Sequence, residues 1–292
     1  MNFNKVKTIR LSQILLCGLF IFLFVGCSSD DTTSDSEDEQ DISDDDPIID
    51  DEPSDLEERY VFGENLVIEH SWDTDGCDSP PCSTNQDNLN AVFENTLPND
   101  PYFYMDDDEI ELNLVCQLEK GRRVEFKQTT EGPLTSYSKM EFEGVYYSIP
   151  DGGMTIAQVH NRGGNSNKPF FRLELHSDKL ETVIRKDPEV SSSQTSFIKM
   201  DFPFVNNGNY TLFPLKVTLE KNNGFVSVKV MQDDIVIVDE DFQADTTTDW
   251  ANDTGIANGF YLKAGLYNAA TTHTENLTLG YTTFMFETDD TN

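Results

Sequence analysis

Short runs in which apolar and polar residues alternate recur along most of the chain, bounded by Gly, Pro, Asn and Asp. The clearest cover residues 109–116, 123–129, 139–148, 154–161 and 170–176, then 212–220, 225–232, 235–242, 259–267 and 276–286. A period of two, with Val, Ile, Phe and Tyr at the apolar positions, predicts β-strands. Turn chemistry separates the runs, as at Glu131-Gly132-Pro133, Asp151-Gly152-Gly153, Asn207-Gly208-Asn209 and Asn222-Asn223-Gly224. A helical period is faint and confined to residues 86–93. About a dozen strands without alternating helices predict an all-β chain, an antiparallel two-sheet β-sandwich of the jelly-roll kind.

Three runs place chemically rich side chains on one face. In Arg123-Val124-Glu125-Phe126-Lys127 the odd positions carry charge, and Val124 and Phe126 can enter a core. In Ala157-Gln158-Val159-His160, Gln158 and His160 share a face opposite Val159. In the run from Tyr261 to Tyr267, Tyr261, Lys263, Gly265 and Tyr267 share one face, and Leu262, Ala264 and Leu266 the other. Alone, each is an ordinary solvated strand face. Together they assemble cations, a carboxamide, an imidazole and phenols.

The N-terminus reads as an address. Lys5, Lys7 and Arg10 precede an apolar stretch that ends at Gly26-Cys27-Ser28-Ser29. Basic start, short apolar region and small residue at the cut predict a signal peptide over residues 1–26. Cys27 after Gly26 resembles a bacterial lipobox, which implies a lipoprotein lipidated on Cys27. Ser28-Ser29-Asp30-Asp31 resembles the surface-export tag of Bacteroidetes lipoproteins, which implies an outer-membrane location, with the outer face open to it. Residues 28–58 hold 16 acidic residues and no basic ones. Such a segment repels itself and is expected to be an extended tether, so the folded domain is assigned to residues 59–292.

Charge narrows the partners. The chain has 54 Asp and Glu against 20 Lys and Arg among 292 residues, a formal net charge of −34. The domain without its N-terminal 58 residues still carries −21. Nucleic acid is excluded as a partner, because affinity for phosphate needs clustered cations. A polyanionic ligand would need the basic residues gathered in one cleft. Export favours a disulfide, and a turn between Cys77 and Cys82 favours that pair with Cys116 left over, pairing of Cys116 with either being the alternative. No metal site is expected: His70, His176 and His273 lack ligand-spaced partners, and Asp106-Asp107-Asp108-Glu109 reads as an exposed acidic loop rather than a calcium site.

The three faces, in order, resemble the signature of the alginate lyase superfamily centred on polysaccharide lyase family 7. That family carries R-[ST]-E-L-R, Q-[IV]-H and Y-F-K-A-G-x-Y-x-Q. This chain has R-V-E-F-K at 123–127, Q-V-H at 158–160 and Y-L-K-A-G-L-Y-N-A at 261–269. Pro101 to Asp106 is similar to an upstream Y-F-Y-x-D element. Lys127 stands where the family has a second Arg, and Ala269 where it has Gln. The resemblance implies a metal-independent lyase with no cofactor, acting by β-elimination on a uronate polysaccharide, alginate first among them. It implies that Arg123 and Gln158 neutralise the substrate carboxylate, His160 is the base and Tyr267 the acid. Glu125 would orient the cations. Lys127, Lys263, Tyr261 and Arg162 would hold neighbouring substrate groups, with Arg122, Lys168 and Arg172 as further cations. The reading expects a monomer. Ulvan or glucuronan as substrate, or a non-catalytic glycan-binding lipoprotein, are the competing readings. A glycoside hydrolase would need paired carboxylates at the cleft, for which no E-x-D-x-x-E run is found.

Overall fold

The computed structural model describes residues 58–71, 82–84, 102–106, 111–147, 149, 152–162, 168–185, 194–199, 213–243, 259–268 and 276–290, with 82–84, 106, 111, 194–199 and 213 as backbone. The signal segment, Cys27, the acidic tether, the Cys77–Cys82 bridge, residues 86–93, the Asp107–Glu109 loop and Ala269 lie outside the described residues.

Sixteen strands are formed among the described residues. They are β1 (Tyr60–Val61), β2 (Leu66–His70), β3 (Cys82–Thr84), β4 (Phe103–Asp106), β5 (Glu111–Cys116), β6 (Arg123–Gln128), β7 (Ser138–Tyr146) and β8 (Met154–Asn161). Then come β9 (Pro169–Leu175), β10 (Leu180–Arg185), β11 (Gln194–Lys199), β12 (Phe213–Asn222), β13 (Phe225–Gln232), β14 (Ile235–Gln243), β15 (Phe260–Asn268) and β16 (Leu277–Thr288). Each of the ten runs marked by alternation contains a strand. The pattern passed over β1, β2, β3, β4, β10 and β11.

Two sheets result. The first runs β14-β13-β12-β7-β16-β5-β4, with β1 beside β16; the second runs β11-β10-β9-β8-β15-β6-β2-β3. All pairs are antiparallel except β1 with β16. This is the expected two-sheet jelly roll.

The two sheets differ in how they treat their outer face. In β7, Met140, Phe142 and Tyr146 are buried, whereas Lys139, Glu141 and Glu143 point outward. That is the ordinary half-solvated strand. In β15, only Tyr267 is not buried, so both faces of the strand are covered. Leu262, Ala264 and Leu266 enter the core as expected, and Phe126 of β6 meets Phe284 of β16 with ring centroids 4.3 Å apart. The opposite face of β15 is buried by polar residues packed on one another.

A polar clasp supports β15 from within. Lys221 of β12 is fully buried and donates to Asp290 Oδ2 at 2.8 Å. Gln128 of β6 donates to the same oxygen at 2.8 Å, and its Oε1 accepts the Leu262 N–H at 3.1 Å. The last described residues are thereby tied to β6, β12 and β15.

Gly265 is the tight point of β15. Its φ is +148°, and a Cβ there would overlap the Val124 carbonyl and the Glu125 backbone of β6. It lies at a register shift between Ala264 and Tyr267 against β8. Gly265→Ala is expected to lower unfolding stability by on the order of 3 kcal/mol, from overpacking plus backbone strain, measured as the shift in urea midpoint at unchanged slope.

Candidate active site

The register of the second sheet brings the three marked runs side by side. β15 lies between β6 and β8. Tyr267 pairs with Arg123, Gly265 with Glu125 and Lys263 with Lys127 across one side. Across the other, Lys263 pairs with Gln158 and Tyr261 with His160. Directly opposed residues share a face, so all these side chains project from the face away from the core.

Beneath them runs an ion network. Lys263 is 1% exposed and donates to Glu69 Oε1 at 2.8 Å and Glu125 Oε2 at 2.6 Å. Lys127 Nζ donates to Glu69 Oε2 at 2.7 Å. Arg123 Nη1 is 3.3 Å from Glu69 Oε1 and 3.9 Å from Glu125 Oε2. Gln158 Nε2 donates to Glu125 Oε1. Lys263 was expected to hold substrate carboxylates; burial and its two Glu partners instead make it an internal brace. Glu125 thus contacts both Lys263 and Arg123, the cations it is expected to orient.

Glu69 was missed by the sequence reading. It lies in the five-residue β2, in register opposite Glu125. Burial alone would raise its pKa, but the ammonium groups of Lys263 and Lys127 overcome that and hold it at about 2. Burial works against the Arg123 cation, yet the Glu125 and Glu69 carboxylates raise its pKa above the ordinary value.

His160 sits at the other end of the row. Its Nδ1 is 2.9 Å from the Asn161 carbonyl oxygen. A carbonyl only accepts, so Nδ1 carries the proton in that contact and Nε2 keeps the lone pair. Burial first, then Lys263 and Arg123, push the imidazole pKa down to about 3, so the ring is neutral. The Tyr261 hydroxyl is 3.1 Å from the same Nδ1, and its ring lies 5.7 Å from both Lys127 Nζ and the Arg162 guanidinium.

Exposure decides which cations face solvent. The side chains of Arg123 and Arg162 are 26% and 56% exposed. Arg162 also pairs with Glu131 at 3.2 Å. Arg122 pairs with Glu119 at 3.1 Å and Arg172 with Glu174 at 3.1 Å. The Arg123 guanidinium stands 4.8 Å from the Tyr267 ring centre. Arg123, Gln158 and Tyr267 thus cluster through Glu125 and a cation–π contact. His160 shares their face through Tyr261 and has no hydrogen bond or ring contact to Tyr267. Cys116 is a buried free thiol, pushed up to about 12 mainly by burial.

This fold and site define a polysaccharide lyase. Residues 72–288 match the family described as alginate lyase, and the chain belongs to that family. Its fold is similar to alginate lyase A1-II', a member of polysaccharide lyase family 7, with a TM-score of 0.58 and 13% identity over 78% of this chain and 96% of that one. It is also similar to alginate lyase PA1167 from Pseudomonas aeruginosa, with a TM-score of 0.56 and 17% identity over 77% of this chain and 99% of that one. Alginate lyase AlyC3, solved in complex with dimannuronate, gives 0.54 and 15% over 80% and 92%. The comparison with curated proteins gave no match.

The depressed Glu69 pKa has a signed consequence. Between its ordinary value of 4.5 and about 2, folding holds the carboxylate ionised against the solvent's tendency to protonate it. The stability it contributes is complete above pH 4.5 and drains away as pH falls toward 2. Unfolding free energies of wild type and Glu69→Gln, measured across that window, are expected to converge as the pH falls.

Proposed function

We propose that the protein depolymerises alginate by metal-independent β-elimination, with Arg123, Gln158, His160 and Tyr267 around one uronate ring. One observation carries the reading. A half-buried, neutral His160 shares a sheet face with a buried Gln158 and with Arg123 and Tyr267, which are partly exposed. A uronate carboxylate resists loss of the neighbouring carbon-5 hydrogen, because the product would be a doubly charged enolate. Arg123 supplies a permanent cation and Gln158 a second amide N–H, so the carboxylate is neutralised and the enolate stabilised. Nε2 of His160 takes the carbon-5 proton. Tyr267, beside Arg123, protonates the leaving glycosidic oxygen, and the electron pair forms the carbon-4 to carbon-5 double bond. The space between imidazole and phenol is where the sugar would lie. Membership of the alginate lyase family and the dimannuronate complex of AlyC3 support alginate as the polymer.

The N-terminal pattern supports export as an outer-membrane lipoprotein anchored through Cys27, with the acidic stretch as spacer.

Wild type incubated with polymannuronate, polyguluronate, ulvan and glucuronan is expected to give ultraviolet absorbance from the new conjugated double bond on the first two. Products should show no added water in their mass. His160→Ala and Tyr267→Phe are each expected to lose about 10²- to 10⁴-fold in kcat with substrate affinity retained. Affinity retained by a wild type that releases no unsaturated product would instead identify a glycan-binding protein. The neutral imidazole also fixes the pH profile. With its pKa at about 3, His160 stays a base on descending from pH 8 to 5, so kcat/KM is expected to show no fall near pH 6.5.

A further inference from the structure

The β9–β10 hairpin carries a second cluster, apart from His160 and Tyr267. Glu174 and Glu181 are directly opposed in register. Like charges in that position repel. Where the sheet opposes Glu69 and Glu125, the Lys263 ammonium binds both. Here Lys179 Nζ is 2.6 Å from Glu181 Oε2, and Arg172 Nε is 3.1 Å from Glu174 Oε1. The Oε2 atoms of both carboxylates face His176 Nε2, at 3.8 Å for Glu174 and 3.6 Å for Glu181. Those separations exceed a hydrogen bond, and Nε2 is a buried ring nitrogen without a hydrogen-bond partner. His176 itself is only 9% exposed.

The geometry around His176 is built. Its N–H donates to the Lys179 carbonyl at 2.9 Å, which closes the hairpin turn. Its ring lies flat where a side chain at residue 153 would stand. Gly153 has a φ of +79°, and a Cβ there would overlap the imidazole. The three ligand atoms lie within 4.8 Å of one another. Two donors bound at zinc distances in a tetrahedral shell stand about 3.4 Å apart, close to the 3.6 and 3.8 Å from His176 Nε2 to the two carboxylates. One imidazole and two carboxylates are a donor set for a borderline divalent ion rather than for calcium, which prefers six or more oxygens. Ligand spacing at His176 is not visible along the sequence, because the set closes only across the hairpin. On a strand, i−2 places Glu174 on the same face, and the hairpin returns Glu181 beside it.

We propose that Glu174, His176 and Glu181 form a binding site for a divalent transition-metal ion of the zinc class, with a fourth position left for water or an anionic oxygen. Lys179 competes for Glu181 and must give up its contact when the ion binds. The site lies in the sheet that carries the catalytic face: Glu174 pairs with Thr155, which pairs with Tyr267.

The test is calorimetric titration of the chelator-treated full chain with zinc chloride, with cobalt(II) as a spectroscopic probe. Wild type is expected to bind one zinc per chain and to develop the visible bands of a low-coordinate cobalt site. His176→Asn is expected to abolish both, Glu181→Gln to weaken binding at least tenfold, and Lys179→Ala to tighten it several-fold. Circular dichroism of the metal-free variants checks that each is folded. The acidic N-terminal segment is identical in all of them, so its background binding cancels. Absence of a stoichiometric site in wild type, or equal binding by His176→Asn and Glu181→Gln, would overturn the proposal. In that case the imidazole serves only to pack against Gly153 beneath the hairpin.

Discussion

Two carboxylates, Glu69 and Glu125, face each other across β2 and β6 with almost no access to water. Such a pair is unstable alone, since burial penalises each charge and register sets them against one another. Lys263 lies between them, Lys127 and Arg123 flank them, and Gln158 fills a remaining acceptor. Three cations against two anions leave a surplus of one positive charge in the floor. A domain with a net charge of −21 can therefore present a local cationic spot to a polyanion.

The division of labour between the sheets follows. The first sheet alternates buried and solvated residues in the usual way, and its outer charges pair locally, as Lys139 does with Glu141. The second is covered on both faces at β8 and β15, so most of the polar residues there are held by neighbouring side chains rather than by water. The clasp of Lys221, Asp290 and Gln128 extends that fixation to the Leu262 backbone, next to both Tyr261 and Lys263. In the proposed mechanism, the side chains that neutralise and deprotonate the sugar gain from standing on a floor with little freedom to relax.

Much of this was legible in the sequence, and the reason is periodicity. Val124, Phe126, Val159, Leu262 and Leu266 announce which way their strands face, and the polar partners follow by alternation. Strand pairing was not legible, because register is a tertiary property. Glu69 shows the cost. It stands in a short run, Leu-Val-Ile-Glu-His, and nothing local marks it as the partner of three cations over fifty residues away. Lys263 was misread for the same reason: alternation gave its face correctly but not the two carboxylates waiting there. β10 was passed over because five of its six residues are buried, which blurs the period of two.

The mutual dependence of the floor residues constrains how such a protein can diverge. Each charged position is solvated by its neighbours rather than by water, so a drift at one position alters the fitness of changes at the others. Lys127, where the family signature has arginine, still reaches Glu69 with its single ammonium. Losing Glu69 first would strand that lysine beside Lys263, its neighbour in register. Substrate preference is therefore easier to evolve around the edge of this sheet than through its centre, where substitutions become acceptable only in compensating sets.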